Sequence, residues 1–255
     1  MGLDIYAGTY TRYCTRNWKT KTRQICEAYG IKYSLTTSYE VPEDIESLAE
    51  QIEEDVNVWM EQLIRNLREA NIDKAASWQE NNVKDYYTDK PDWDALGALL
   101  LTASSKALKE DIPIECPKGM DYFGHEIVKK ASEMFFEGWA LFEGIFYYIP
   151  IEENFAFQYP LVNGKTVVIG TVEGLKQELC AINKLCWDAS EDTIMKWLTT
   201  EGYPSDSYID AEGNYHQEQV HEAYNTDSLA KFAFAVLWRA VNFAEKERVM
   251  IIFDY

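Results

Sequence analysis

The sequence has no long apolar run, because charged residues interrupt every candidate for a membrane span. A transmembrane helix needs about 20 consecutive apolar residues, and the richest stretch, residues 229–244, contains Lys231 and Arg239. The first residues also lack the basic segment and the apolar core of a signal peptide. We therefore expect no membrane association and no secretion by that route.

Cysteine is scarce, with five residues scattered along a chain of 255. Small secreted domains that depend on disulfides show the opposite pattern, with many cysteines in a short chain. An odd number of widely spaced cysteines fits a reducing compartment. We expect the protein to be cytoplasmic.

The common signatures of catalytic, nucleotide-binding and metal sites are absent or broken. The chain has no Gly-x-Gly-x-x-Gly motif, no Walker loop and no Gly-x-Ser-x-Gly elbow. His125 and Glu126 begin a zinc-protease motif, but Lys129 stands where the second histidine ligand is needed. We predict no cofactor and no metal, and we assign no catalytic residue. The three histidines would suffice for acid–base chemistry, so an enzyme remains an alternative.

Positive charge is in short supply. Lys and Arg total 24 against 43 Asp and Glu, which gives a net charge of -19. A surface with this balance repels nucleic-acid phosphates, so we do not expect direct nucleic-acid binding. The same surface attracts basic proteins, because opposite charge steers the encounter of two partners.

Both ends of the chain carry strand patterns. Apolar and polar residues alternate over residues 3–12, and residues 249–253 form a short apolar run typical of a strand buried on both faces. Aromatic alternation and a β-branched run flank Asn163-Gly164, which predicts a hairpin over residues 155–171. We expect one mixed sheet that contains both terminal strands and this hairpin.

Helical periodicity fills the interval between these strands and predicts about six helices. The clearest apolar stripe covers residues 43–70, where its members recur every three or four positions: Ile45, Leu48, Ile52, Val56, Trp59, Leu63 and Leu67. Pro42 and the acids after it suit the first turn of this helix. Later helices are predicted to begin at Asp92 and His125, after the caps Thr171 and Ser190, and at Thr226 or Asp227.

These elements predict the α+β class. Because both termini enter one sheet, we expect a single compact domain over residues 1–255. The alternative is that residues 41–122 form a helical subdomain of it.

One segment departs from the acidic background. Residues 1–34 carry six basic and two acidic side chains, and five of the cations follow the first strand: Arg12, Arg16, Lys19, Lys21 and Arg23. If Asn17 caps a helix here, Lys19 and Lys21 lie in its first turn, where the helix dipole disfavours positive charge. One interpretation is a site for a phosphate or carboxylate. The other is that the acidic helix at residues 43–70 neutralises the segment.

Acidic and aromatic residues together suggest an interaction surface. Aromatic residues make up 14% of the chain, and the candidate partner-binding residues are Glu50, Glu53, Glu54, Trp78, Tyr86, Tyr87 and Trp93. Aromatic side chains anchor interfaces that charge attraction brings together. The leading hypothesis is an interaction protein of inhibitor or immunity type that binds a basic partner protein, including one that itself binds DNA. The alternative is an enzyme or ligand-binding protein that holds an anionic small molecule at residues 12–23. No oligomeric state is predicted.

Overall fold

The structure is a computed structural model that describes residues 2–33, 48–72, 78–205, 207–210, 212, 214–217 and 219–255. The helices among these residues are α1 (Tyr10–Cys14), α2 (Lys21–Ala28), α3 (Ala49–Glu69), α4 (Asp92–Leu108), α5 (Glu126–Phe135), α6 (Val172–Cys186), α7 (Glu191–Thr200) and α8 (Thr226–Glu247). The strands are β1 (Asp4–Gly8), β2 (Tyr87–Asp89), β3 (Glu115–Pro117), β4 (Tyr147–Ile149), β5 (Phe157–Pro160), β6 (Thr166–Thr171), β7 (Ser207–Ile209), β8 (Tyr215–Gln217), β9 (Ala223–Asn225) and β10 (Met250–Asp254).

Six strands form the main sheet, in the order β2-β1-β10-β4-β6-β5. Only β4 and β6 are parallel, and the other neighbours in this sheet are antiparallel. The two terminal strands pair with Ile5 opposite Phe253. The predicted α+β class, and the prediction that both ends of the chain enter one sheet with the hairpin, are confirmed.

Helices cover both faces of this sheet, because strand residues alternate between two apolar clusters. Ile5 and Ile251 point into the larger cluster, which contains buried residues of α4, α5, α6, α7 and α8. Tyr6 and Ile252 point into the smaller cluster, which contains buried residues of α1 and α3. This alternation is the period-two pattern of a strand that is buried on both sides.

The predicted capping residues begin helices where hydroxyl groups accept backbone hydrogen bonds. The Thr171 hydroxyl accepts from the Gly174 amide at 3.1 Å, which starts α6 directly after β6. Ser190 caps α7 in the same way. The helix predicted over residues 43–70 is confirmed as α3, whereas its predicted first turn at Pro42 lies outside the described residues.

Three details differ from the sequence-based expectations. The described residues contain eight helices, because the basic segment forms the two short helices α1 and α2 and not one helix capped by Asn17. Thr20 caps α2, while the Asn17 side-chain amide donates to the Asn82 carbonyl. The last helix, α8, is capped by Asn225 and not by Thr226 or Asp227, and Asn225 accepts from the Ser228 amide at 2.8 Å.

Residues 41–122, considered as a helical subdomain, contribute α3 to the smaller cluster and α4 to the larger one. The division into domains stays a prediction. No helix in the described parts of the chain is long and apolar enough to cross a membrane.

Candidate binding cleft

The predicted anion-binding residues are directed to different partners. The Arg12 guanidinium donates to the Asn82 carbonyl at 2.7 Å and lies 5.0 Å from the centre of the Tyr86 ring. Lys19 and Arg23 both pair with the carboxylate of Glu27. Thus the structure brings Lys19 and Arg23 together, and their described partner belongs to α2 itself and not to the acidic helix α3.

Of the remaining two basic residues, Arg16 precedes this pair along the chain and Lys21 lies between its two members. Arg16 has a left-handed backbone with φ of 55° just after α1, and Lys21 is the first residue of α2. Lys21 therefore occupies the first turn of a helix, as the sequence suggested for it.

A carboxylate of the chain occupies the N-terminal end of α1, just before the basic segment. Glu80 accepts hydrogen bonds from the Thr11 amide and from the Trp78 indole, each at 2.8 Å. Burial raises the pKa of Glu80 to about 7, although these hydrogen bonds act in the opposite direction. The backbone amides in the first turn of α1 therefore already have hydrogen-bond acceptors within the protein.

Two of the four aromatic residues predicted to bind a partner, Trp78 and Tyr87, belong to the packed interior. Trp78 is 4% exposed and Tyr87 is 8% exposed, so neither presents a free face. Tyr86 is half-buried, and its hydroxyl accepts from the Lys19 amide at 3.0 Å. Trp93 is half-buried and lines a cleft, which makes it the aromatic residue of this set with a side chain directed to a concave surface.

The predicted acidic residues of α3 face solvent. Glu50 and Glu54 are exposed, and Glu53 is half-buried on the same helix. The opposite side of α3 packs into the smaller cluster through Val56 and Leu63. These acids therefore form a solvated helix face, which can attract a partner through its charge.

The cleft that Trp93 lines lies at the N-terminal end of α4 and has a volume of about 580 Å³. Segments far apart in sequence form its walls, including Asp92, Trp93, Asp94, Lys118, Tyr203 and Tyr224. This size falls within the range of about 300–1,000 Å³ that is usual for ligand pockets. The walls combine aromatic rings with carboxylates.

Hydrogen bonds hold the start of α4 in place beside the cleft. The Tyr203 hydroxyl donates to the Pro91 carbonyl at 2.9 Å and accepts from the Ala95 amide at 3.2 Å. The Asp94 carboxylate accepts from the Gly119 amide at 2.8 Å, which ties the loop after β3 to the helix. Asp92 and Asp94 therefore stand on either side of Trp93 on a braced turn.

The Trp93 ring is supported from behind by other aromatic rings. Its centre lies 5.9 Å from that of Phe146 and 5.4 Å from that of Tyr255, and both pairs meet edge to face. Edge-to-face pairs of this kind are favourable beyond the area that they bury. The indole is thus pre-positioned in the cleft wall.

One lysine of the cleft, Lys90, lies beside two carboxylates. The Lys90 ammonium lies 2.7 Å from Asp92 Oδ1 and 3.9 Å from Asp4 Oδ2. Burial raises the pKa of Asp4 to about 6; Lys90 opposes this shift, whereas the nearby carboxylates of Asp254, Asp92 and Asp89 add to it. Two carboxylates therefore lie close to this ammonium group, and Lys118 is a second basic residue in the lining of the cleft.

No family model, curated protein or solved structure matches the chain. The site must therefore be interpreted from its own geometry. No group of three or more metal-ligating side chains in the described residues is arranged to hold a metal ion. Two histidines considered as acids or bases have local partners: His125 caps α5 by accepting from the Ile127 amide, and His216 lies 2.6 Å from Asp210.

Sequence reasoning selected Trp93 but missed the residues that complete its surroundings, namely Asp92, Asp94, Tyr203 and Tyr224. The local signal was the Asp-Trp-Asp triplet directly after Pro91, where a helix was predicted to begin. Acidic residues at such a position are usually explained by the helix dipole. Nothing in the local sequence connects them to Tyr203 and Tyr224, which lie more than 100 positions later.

Proposed function

We propose that this chain is an interaction protein that binds a basic partner protein, and that the cleft at the start of α4 receives a basic side chain of that partner. The observation that carries the proposal is the position of Trp93 in the cleft wall beside Asp94. The Asp94 carboxylate accepts from the Gly119 amide, while the neighbouring Asp92 is paired with Lys90. An aromatic face beside carboxylates suits an arginine or lysine side chain, because both attract a cation.

The charge of the whole molecule supports the same function. A net charge of -19 attracts a basic protein over a longer range than any single contact. The exposed acids of α3, Glu50 and Glu54, contribute to this field. In this scheme the field accelerates the encounter, and the braced cleft supplies the specific contact.

The proposal includes a cytoplasmic location and no cofactor. All five cysteines are unpaired in the structure, which agrees with a reducing compartment. Binding of the kind proposed needs only side chains of the chain itself.

The alternative, a site for an anionic small molecule at residues 12–23, has less support. Arg12, Lys19 and Arg23 already have partners within the chain. Glu80 already accepts a hydrogen bond from the Thr11 amide at the start of α1. An added anion would have to compete with these contacts.

The test compares the parent protein with two variants of equal charge in a capture from its native lysate at low salt. Asp92→Asn with Asp94→Asn removes two charges from the cleft, and asparagine keeps the oxygen that accepts from the Leu3 and Gly119 amides. Asparagine also tolerates the left-handed backbone of Asp92, with φ of 57°. Glu61→Gln with Glu69→Gln removes two charges from exposed positions of α3 and serves as the matched control.

We expect the parent and the α3 variant to retain a basic protein that moderate salt releases, and the cleft variant to lose most of it. A parent protein that retains no basic protein at any salt concentration would contradict the interaction itself. Equal retention by the cleft variant would contradict the assignment of the cleft. Thermal unfolding of each variant confirms that the comparison is between folded proteins.

A further inference from the structure

A second hollow adjoins the cleft and differs from it in chemistry. It has a volume of about 320 Å³ and shares Trp93, Asp94 and Gly119 with the first. Its other walls are predominantly apolar, with Leu96, Met120 and Phe123, and are completed by Tyr122 and Asp121. The first turns of α4 therefore separate a hollow with carboxylates from a hollow that suits an apolar side chain.

The loop of residues 117–124 is held firmly against α4 and forms a wall of both hollows. Gly97 of α4 allows the Tyr122 ring to lie directly on the helix, because a Cβ at this position would overlap the ring. The Tyr122 hydroxyl donates to the Pro117 carbonyl at 3.2 Å. Gly119 has a left-handed backbone with φ of 72°, which directs its amide to Asp94. The two hollows are therefore formed before any partner arrives.

We infer that the two hollows together bind one segment of the basic partner, in which a basic residue and a large apolar residue lie within about three positions of each other. This inference rests on the proposed function, because it specifies what the same cleft recognises. The occupant is a peptide segment of a protein, with the basic side chain beside Asp92 and Asp94 and the apolar side chain against Met120 and Phe123.

Charge and polarity favour this occupant. An ionised carboxylate has about four acceptor positions, so Asp94 can bind a guanidinium while it accepts from Gly119. Trp93 lines both hollows, and its indole can contact the stem of the basic residue on one side and the apolar residue on the other. Lys90 and Lys118 also line the first hollow, and Lys90 is paired with Asp92. Asp94 is therefore the carboxylate that pairs with the basic residue of the segment.

The experiment uses a displayed library of random heptapeptides and the full chain as bait. We expect enriched peptides to carry Arg or Lys within three positions of Leu, Met, Phe or Trp. The enrichment should persist with Glu61→Gln/Glu69→Gln as bait, since both residues are exposed on α3, and disappear with Asp92→Asn/Asp94→Asn. For one enriched peptide, fluorescence anisotropy should give a Kd at least tenfold weaker when its basic residue is replaced by Gln, and again when its apolar residue is replaced by Ser.

Failure of this inference is distinguishable from failure of the proposed function. If enriched peptides are basic but show no preference for a nearby apolar residue, the inference that both hollows bind one segment is wrong. The proposed binding of a basic partner is not contradicted by that result. If no peptide is enriched, or if the cleft variant enriches the same peptides, the two hollows are not a peptide site. Loss of the basic partner in the lysate capture would contradict the proposed function independently.

Discussion

The Glu80 carboxylate accepts a hydrogen bond of 2.8 Å from the amide of Thr11, a residue 69 positions earlier in the chain. This contact attaches the segment before β2 to the start of α1 and buries a carboxylate in the smaller cluster beside Trp78. A buried group with several hydrogen-bond donors is costly to replace, because each donor loses its acceptor without gaining water.

Replacement of Glu80 by Ala is therefore expected to lower the free energy of unfolding by about 1–3 kcal/mol, because the Thr11 amide and the Trp78 indole lose their acceptor. Urea denaturation measures this change. Glu54→Ala is the control, and since Glu54 is exposed we expect an effect within about 0.5 kcal/mol. Equal effects of the two substitutions would show that the buried contacts of Glu80 contribute nothing.

Glu178 gives the stability a defined pH dependence. Burial raises its pKa from 4.5 to about 7, although the carboxylate accepts from the Leu141 and Ala140 amides. Between pH 4.5 and about pH 7, Glu178 stays protonated in the folded protein, whereas it is ionised in the unfolded chain. The free energy of unfolding therefore falls as the pH rises through this interval, by up to about 3 kcal/mol from this group.

Glu178→Gln removes the titrating group, so the variant should lose less stability than the parent between pH 4.5 and pH 7. The same variant should be less stable than the parent below pH 4.5, since its side-chain amide can accept only one of the two backbone hydrogen bonds through oxygen. Urea denaturation at several pH values measures both effects. Parallel pH profiles for parent and variant would contradict the assignment to Glu178.

Lys90 is expected to keep Asp4 ionised, because its ammonium lies near that carboxylate and opposes the effect of burial. Lys90→Met should therefore raise the pKa of Asp4 above about 6. An NMR titration of the carboxyl carbon measures the change. Lys118→Met removes the same charge from another residue of the cleft lining and should shift the pKa less, because Lys118 is not among the charges that act on Asp4. Equal shifts in the two variants would contradict a specific role for Lys90.

Gly97 is expected to be intolerant of a side chain, because a Cβ would overlap the ring of Tyr122. Gly97→Ala should lower the free energy of unfolding by about 1–3 kcal/mol, the usual cost of overpacking, even though alanine favours helices. The matched experiment repeats the substitution in a Tyr122→Ala background. There the cost should largely vanish, and an unchanged cost would place its origin elsewhere in α4.

Prediction from the sequence succeeded where a local pattern has one physical solution. The spacing of Val56 and Leu63 requires a helix with one buried face, and α3 buries both residues. Thr171 follows a β-branched run and precedes a helical pattern, and it caps α6. The same approach was wrong for Asn17, because the short helix α1 uses the residues before it and Asn17 donates to Asn82 instead.

Local patterns could not predict which of the candidate partner-binding aromatic residues are exposed. Trp78 lies in a polar stretch that resembles an exposed loop, yet its indole reaches Glu80 and is buried. Tyr87 belongs to a strand of three residues, which is too short to show alternation. The polarity of the neighbouring residues therefore did not predict that either aromatic ring is buried.

The sequence by itself determined the α+β class, the strands at both ends of the chain, the main helices and the acidic charge, because each depends on residues close together or on composition. Only the tertiary structure decided that β10 lies between β1 and β4, that Glu80 matches the start of α1, and that Trp93 meets Tyr203 and Tyr224 in one cleft. Periodicity states which face of an element is buried. It does not state which distant segment covers that face, since that choice depends on packing across the whole chain.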